Sequence, residues 1–322
     1  MRAVRITATG GPEVLKVVDA PVPEPGPGQI RIRHEACGLN FIDTYQRAGL
    51  YPIPLPSILG CEGAGVVEAV GEGVTRFAVG DRAAYASGLG GYAEANVVSQ
   101  KGAVRLPEGI TAQTAAASLL KGMTVEALLC RCYPLQAGQP VLIHAAAGGV
   151  GQIMVQWAKA IGAEVIATVG SEAKAERVRA LGADHTILYG DQDVAAEVRR
   201  ITGGAGVPVA YDSVGAATFE GTLGSVARRG LFVSFGNASG PVPPVPPLRL
   251  SRGGSLFLTR PTLGDYTATP EELDASAAAL FAMISAGKVK IEIGQTFPLE
   301  QARAAHEALA ARDTVGSSLL LP

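Results

Sequence analysis

The segment from Val141 to Gly162 constrains the fold more than any other. An apolar, β-rich run, Val141–Ala145, meets a turn of small residues, Ala146-Ala147-Gly148-Gly149-Val150-Gly151, and a helical pattern follows at once. Val150, Ile153, Trp157 and Ile161 recur at helical spacing, and Gly162 suits a C-terminal cap. Strand, glycine turn and amphipathic helix in that order open a dinucleotide-binding βαβ unit, where small residues let backbone N–H groups approach a pyrophosphate at the positive helix end. The first glycine of the common fingerprint is Ala146 here, and glycines in a buried turn also serve tight packing. The strand before and the helix after favour cofactor binding over packing alone.

The same rhythm continues through Glu164–Val169, Thr186–Leu188, Val209–Asp212, Leu231–Phe235 and Ser255–Thr259, separated by helical segments. That alternation marks a parallel sheet with crossover helices. The first third differs. Ile30 and Ile32 alternate with Arg31 and Arg33, and Gly60 to Gly71 is an apolar run dense in glycine, which together predict short strands of a compact β-rich domain. Pro21, Pro23, Pro25 and Pro27 form a stiff extended connector that cannot sit inside a sheet ladder. Thr269-Pro270-Glu271-Glu272 predicts a helix start with a capping-box glutamate; Leu273, Ala277, Leu280, Phe281 and Ile284 form one face, and Gly287 is the expected stop. A second helix is expected from about Glu300 to Arg312, and the apolar tail Ser317–Leu321 reads as a last strand returning to the β-rich domain. The proline cluster Pro241–Pro247 reads as a loop crossing toward a cleft or as a subunit contact. A chain of 322 residues suggests two domains with a ligand cleft between them.

Basic and acidic side chains number 27 and 29, a net charge of −2, and no Lys/Arg run supplies a patch for phosphate backbones. Nucleic acid is therefore not the expected partner. Cys37, Cys61, Cys130 and Cys132 have neither the density of a disulfide scaffold nor zinc-knuckle spacing, and free thiols in a reducing cytoplasm are expected. The N-terminus alternates like a strand and has no apolar signal core. From Cys132 to Ala158 the chain carries no Asp, Glu, Lys or Arg, but Pro134, Pro140, the glycine turn and several glutamines argue for strand, turn and buried helix rather than a membrane span.

A βαβ unit that takes NAD places an acidic residue about 20 positions past its glycines, on the ribose 2′-hydroxyl. Here the second strand ends Thr168-Val169-Gly170-Ser171 with Lys174 following. An uncharged floor with a cation nearby suits a 2′-phosphate, which predicts NADPH over NADH. Lys174 reads alternatively as a solvated helix residue. Tyr189, just past the third strand, is placed to close the same pocket. His144 reads as a satisfied buried histidine rather than a base, and His34, His185 and His306 have no ligand spacing. Asp212 and Ser213 end a strand on the expected cofactor edge, and no G-x-S-x-G elbow supports a hydrolase.

Gly138-Gln139, Leu142, Ala146-Ala147-Gly148-Gly149, Gly151, Gln156 and Lys159 resemble the quinone oxidoreductase (ζ-crystallin-like) family of the medium-chain dehydrogenases/reductases. The likeness runs from Gly10-Gly11-Pro12-Glu13-Val14-Leu15 through Asn40-Phe41-Ile42-Asp43-Thr44-Tyr45 to Gly316-Ser317-Ser318-Leu319-Leu320. It implies an α/β protein with a GroES-like β-rich catalytic domain made of residues 1–122 and 265–322, and a Rossmann NADPH-binding domain, residues 123–264, inserted between its halves. It also implies a homodimer, with the strand near Ser255–Thr259 pairing across the dimer. By that likeness, cofactor contacts fall on Asn40, Thr124, Gly148, Gly149, Val150, Gly170, Ser171, Lys174, Tyr189, Ser213, Phe235, Gly236, Asn237 and Arg260, with Ser317 a weaker candidate. Tyr45 and Tyr51 line the quinone side.

Zinc-dependent relatives place a cysteine, a histidine and a cysteine where this chain has Asn40, Cys61 and Lys121, and the four-cysteine structural lobe is missing between Gly80 and Gly102. A catalytic zinc normally needs three protein ligands, so the resemblance implies a metal-free enzyme. Cys61 reads as a small packed residue or as a reactive thiol. Without a Lewis acid an alcohol dehydrogenase lacks its main electrophile, whereas a quinone is already electron-poor and needs orientation in a dry pocket. Asn40, Tyr51 and Lys121 are the candidates to orient the quinone or stabilise a developing oxyanion; Lys121 as a structural cation and Tyr51 as a plain wall are the alternatives. Three functions stay open: an NADPH-dependent quinone reductase, a zinc-free reductase of activated alkenes such as enones, and a low-turnover NADPH-binding or sensor protein, in an RNA-binding form disfavoured by the near-neutral charge.

Overall fold

The computed structural model describes residues 1–311 and 314–322, which divide into two compact units. Unit one comprises Met1–Met123, Thr267–Ser285 and Ile291–Pro322; unit two comprises Thr124–Tyr266 and Ala286–Lys290.

Unit two is built on a parallel sheet in the order His185–Leu188, Glu164–Val169, Pro140–Ile143, Val207–Asp212, Val226–Ser234, Phe257–Thr259. The runs Pro140–Ile143, Glu164–Val169 and Val207–Asp212 are buried almost throughout, as a strand covered on both faces must be. Leu142, Ile166, Ile187, Val207, Ala210, Phe219 and Phe232 form one core beneath the helices. In chain order the sheet reads 3-2-1-4-5-6, so its direction of winding reverses between Pro140–Ile143 and Val207–Asp212. Ligands of such sheets bind at the carboxyl ends of the strands beside that reversal.

Three of the boundaries that differ from the sequence pattern have a local cause. The first strand stops at Ile143 because Ala145 turns the chain with φ +51°, and the last begins at Phe257 because Ser255 has φ +56°. The fifth extends back to Val226 through exposed Arg228 and Arg229, whose charges interrupt the apolar run from which Leu231–Phe235 was read. Pro241–Pro246 is loop, and Pro247 opens the short helix Pro247–Arg252, as the ring's fixed φ allows at a first helical position.

Unit one carries a mixed sheet in the order Ile293–Pro298, Ser317–Leu321, Gln29–Leu39, Gly63–Val70, Arg82–Tyr85, Ala103–Arg105, with Ala95–Ser99 also pairing Gln29–Leu39. The C-terminal strand returns to this sheet, pairing Ser318 with Leu39 and Leu320 with Cys37. A smaller sheet orders Lys16–Asp19, Arg2–Ile6 and Ser57–Ile58. The helix Pro270–Ser285 opens with the expected reciprocal box: Thr269 N donates to Glu272 Oε2 (3.2 Å) and Glu272 N to Thr269 Oγ1 (3.3 Å). It ends at Ser285, two residues before Gly287. The helix expected up to Arg312 spans Ala302–Ala310, and Arg312 itself lies outside the described residues. Among the described residues no helix is long and apolar enough to cross a membrane.

Two buried histidines in unit one set its acid sensitivity. His34 donates from Nδ1 to Ala93 O (2.7 Å) and accepts at Nε2 from Tyr85 (3.0 Å); burial pushes it down from 6.5 to about 4. His306 lies between the Tyr92 hydroxyl and Arg47, each at 3.0 Å, and burial helped by the Arg47 charge pushes it down to about 3. Both bind a proton more weakly folded than unfolded, so their stabilisation is present above pH 6.5 and is lost as pH falls toward 4. Asp43, raised by burial to about 6, acts in the opposite sense over the same window, favouring the fold at low pH. Glu62 is raised by burial as Asp43 is, and His144 in unit two is lowered by burial as the two histidines are, so three downward histidine shifts against two upward carboxyl shifts predict a melting temperature lower at pH 5 than at pH 7 by on the order of 5 °C. Thermal denaturation across that range checks it; a flat or rising profile would contradict the buried-histidine account.

Candidate active site

In unit two the turn after Pro140–Ile143 delivers the chain into the helix Gly149–Ile161. Gly148 is its N-cap and offers no side chain to the helix, so the first-turn N–H groups keep their capacity for a ligand. Gln152 braces the turn, its Nε2 donating to Ala147 O (3.0 Å) and its N to Gly148 O (2.9 Å). A Cβ at Gly151 would overlap Ala145 O and lie 2.6 Å from Ala146 Cα, whereas one at Gly148 would meet only Ala145 O, at 3.3 Å. The helix thus presses onto the turn at Gly151 and leaves an open cradle at Gly148-Gly149-Val150, at the positive end of 13 residues of helix.

The second strand ends at Val169, and Ser171 caps the helix Glu172–Ala180, its Oγ accepting from Lys174 N (3.4 Å). Tyr189 N donates to Val169 O (3.2 Å), and its hydroxyl stands 2.6 Å from where a Cβ on Gly170 would be. Gly170, Ser171, Lys174 and Tyr189 are thereby gathered at one corner. The neighbouring Glu172 is paired with Arg179.

Beyond the reversal, the loops after Val207–Asp212 and Val226–Ser234 are sewn together. Phe235 N donates to Asp212 O (2.8 Å), and a Cβ at Gly236 would overlap Ser213 O. Arg260 donates to Ser234 O (3.0 Å) from the end of the next strand. Ser213, Phe235, Gly236, Asn237 and Arg260 therefore share the carboxyl edge of the sheet. Asp212 is a brace: its carboxylate accepts from Val214 N, Gly215 N, Thr218 and Thr222. Buried His144 is bonded to Thr168 (3.0 Å) and Thr222 (2.9 Å), and burial lowers its pKa, which leaves it neutral and structural. Thr124 lies in the helix Ala112–Glu126.

Unit one holds a second constellation. Asn40 ends the strand Gln29–Leu39 and caps the helix Phe41–Ala48, its N donating to Asp43 Oδ2 (2.8 Å). Its side-chain Nδ2 donates to Glu62 Oε2 (2.8 Å), while Glu62 Oε1 accepts from Leu120 N (2.7 Å). Lys121 Nζ lies 3.6 Å from Glu62 Oε2, buried and, among the described residues, with no hydrogen-bond acceptor. Glu62 is fully buried; burial raises its carboxyl pKa and the nearby Lys121 opposes that rise. On the same helix as Asn40, Tyr45 meets Tyr51 edge-on at 5.3 Å and Phe41 at 6.3 Å, a short aromatic wall. Ser317 is buried with its hydroxyl given to Ala117 O (2.7 Å). Cys61 is buried and burial pushes its thiol well up, so it is the packed residue of the two alternatives.

Sequence reasoning passed over Glu62 and Asp43. Their signal was a carboxylate within or beside a run otherwise fit for burial, since an acid is buried only where partners wait for it.

Two family models match the chain: an alcohol dehydrogenase GroES-like domain over residues 26–108 and a zinc-binding dehydrogenase over residues 149–280. A quinone oxidoreductase of Pseudomonas aeruginosa is 54% identical over 323 aligned positions, covering 100% of this chain and 99% of that protein. The chain belongs to the quinone oxidoreductase family. The solved structure of the Escherichia coli quinone oxidoreductase complexed with NADPH superposes with a TM-score of 0.98 at 46% identity, covering all of both chains. A 2-haloacrylate reductase of Burkholderia is 44% identical, covering 99% of this chain and 98% of that protein.

In this quinone oxidoreductase-family chain the zinc named by one family model does not fit the donor set. Asn40 gives its amide nitrogen to Glu62, Lys121 places a cationic group beside that carboxylate, and Cys61 is held as a thiol by burial. No step through zinc follows. NADPH does fit the second unit, whose uncapped helix end matches a pyrophosphate and whose corner, with Ser171 and Lys174 beside a Glu172 already paired with Arg179, matches a 2′-phosphate.

Proposed function

We propose that the chain transfers reducing equivalents from NADPH to a quinone without zinc. The observation that carries this reading is Lys121 Nζ, buried beside Asn40 and Glu62 with an unmet capacity to donate. A buried donor without an acceptor is costly, and a carbonyl oxygen of an acceptor molecule would satisfy it.

When bound, NADPH supplies the hydride. The chain's residues hold and orient: the N–H groups at Gly149 and Val150 take the pyrophosphate, with Gly148, whose own N–H is given to Ala145 O (3.0 Å), leaving the space beside them open, and Ser171 with Lys174 takes the 2′-phosphate, Tyr189 closing that corner. Ser213, Phe235, Gly236, Asn237 and Arg260 border the rest of the cofactor, with Thr124, Asn40 and Ser317 as further contacts. Tyr45 and Tyr51 pack the quinone ring. Asn40, Tyr51 and Lys121 orient its carbonyl and stabilise the oxygen as negative charge develops; one hydride and one proton complete the hydroquinone. Exposed Phe257 on the edge strand Phe257–Thr259 supports a homodimer, and four free cysteines support a cytoplasmic setting.

The 2-haloacrylate reductase relative favours a second reading, reduction of an activated alkene by the same hydride. Steady-state NADPH oxidation by chelator-dialysed protein separates the two. We expect kcat/KM for a benzoquinone or naphthoquinone at least about tenfold above that for an enone or 2-chloroacrylate. The reverse order would assign the alkene. NADPH binding with no turnover on any acceptor would leave a low-turnover binding protein.

A further inference from the structure

We infer that Glu62 is a positioning residue for this reaction, acting through Lys121; the inference rests on the quinone-reductase reading above. Three observations carry it. First, the carboxylate is fully buried and has one place to be. A Cβ on Gly38 would overlap Glu62 Oε2 and lie 2.7 Å from its Cδ, so glycine at position 38 makes the room in which the carboxylate sits. Second, its two oxygens tie together segments far apart in sequence, Oε1 taking Leu120 N and Oε2 taking Asn40 Nδ2. Third, Oε2 is the anion beside Lys121 Nζ at 3.6 Å, near enough to attract and too far to satisfy a hydrogen bond. Lys121 is therefore held by charge while its N–H groups stay unspent.

That combination is what an electrophile in a dry site needs. A lysine side chain is flexible, so a free one would lose much of its effect in being ordered during the reaction. The carboxylate orders Lys121 beforehand, and it turns the Asn40 amide so that its oxygen end faces away from Glu62. The structure thus assigns to Lys121 the place that a metal's charge holds in zinc-dependent dehydrogenases, and to Glu62 the task of fixing that cation where the acceptor's oxygen is to be polarised.

A double-mutant cycle tests it, because a residue acting through another loses its effect when that other is gone. In the native background Glu62→Gln is expected to lower kcat for a quinone by at least tenfold while the Kd for NADPH, read by nicotinamide fluorescence, stays within about twofold. In a Lys121→Met background the same change is expected to alter kcat by less than about threefold. The double variant removes both buried charges together and remains interpretable if Glu62→Gln alone fails to fold. Equal losses in both backgrounds, or a native-like kcat for Glu62→Gln, would overturn the positioning role. A native protein that oxidises no NADPH with any quinone would overturn the parent reading instead, and the two failures are told apart by the native control.

Discussion

Replacing Gly151 by valine should raise the Kd for NADPH by at least 100-fold, about 2.7 kcal/mol. The cause is steric and local. The first Cβ would already overlap Ala145 O and sit 2.6 Å from Ala146 Cα, both backbone positions that cannot swing aside like a side chain. The helix Gly149–Ile161 would have to lift from the turn, and its uncapped N–H groups would move away from the pyrophosphate they are aimed at. Gly148→Ala is the matched control, since its Cβ would meet a single atom at 3.3 Å; it should fold and bind within about tenfold of the native protein. Fluorescence titration with NADPH reads both, with circular dichroism to show that the sheet persists. A Gly151→Val protein that binds NADPH like the native one would remove the glycine turn from the cofactor site.

Lys174→Ala should weaken NADPH by about 10- to 100-fold and leave NADH nearly unchanged. A charge-assisted hydrogen bond to a phosphate is worth roughly 1.5–3 kcal/mol, and NADH has no 2′-phosphate to lose it. Lys174 follows directly on the Ser171 cap, and its backbone N is already given to Ser171 Oγ at 3.4 Å, which keeps the two side chains at one helix end. The difference between the two cofactors should shrink as salt rises, since this corner is on the surface and the phosphate contact is screened there. Ser171→Ala should show a smaller loss in the same direction. An unchanged NADPH-to-NADH preference in Lys174→Ala would mean that the lysine is a solvated helix residue and that selectivity arises elsewhere.

The parts of the fold that announce themselves in sequence are those with a period or a cap. Buried parallel strands such as Glu164–Val169 appear as unbroken apolar runs, and the Thr269–Glu272 box appears as a four-residue pattern whose two hydrogen bonds are both made. The helix Ala112–Glu126 gave no such signal, since Ala115, Ala116, Ala117 and Leu119 are all buried and no polar face alternates with them. The strand Val226–Ser234 was half visible because Arg229, with φ +61°, breaks its pattern beside a register shift in its partner. The cofactor turn was legible since its chemistry is contiguous. Of the Asn40–Glu62–Lys121 constellation only Asn40 and Lys121 were legible, as separate residues: its hydrogen bond spans 22 positions and its ion pair 59, distances that periodicity does not encode. Glu62, the member that joins the other two, went unread for that reason.

A single turnover tests most directly whether NADPH held by unit two reduces a quinone on this protein without a metal. Chelator-dialysed protein is mixed with one equivalent of NADPH and then, in a stopped-flow instrument, with excess naphthoquinone while the nicotinamide absorbance is followed. A rapid loss of that absorbance equal to the bound NADPH is expected, unaltered by added zinc and slowed at least tenfold in Lys121→Met. Bound NADPH that stays reduced in the presence of quinone, or that is oxidised only after zinc is added back, would contradict it.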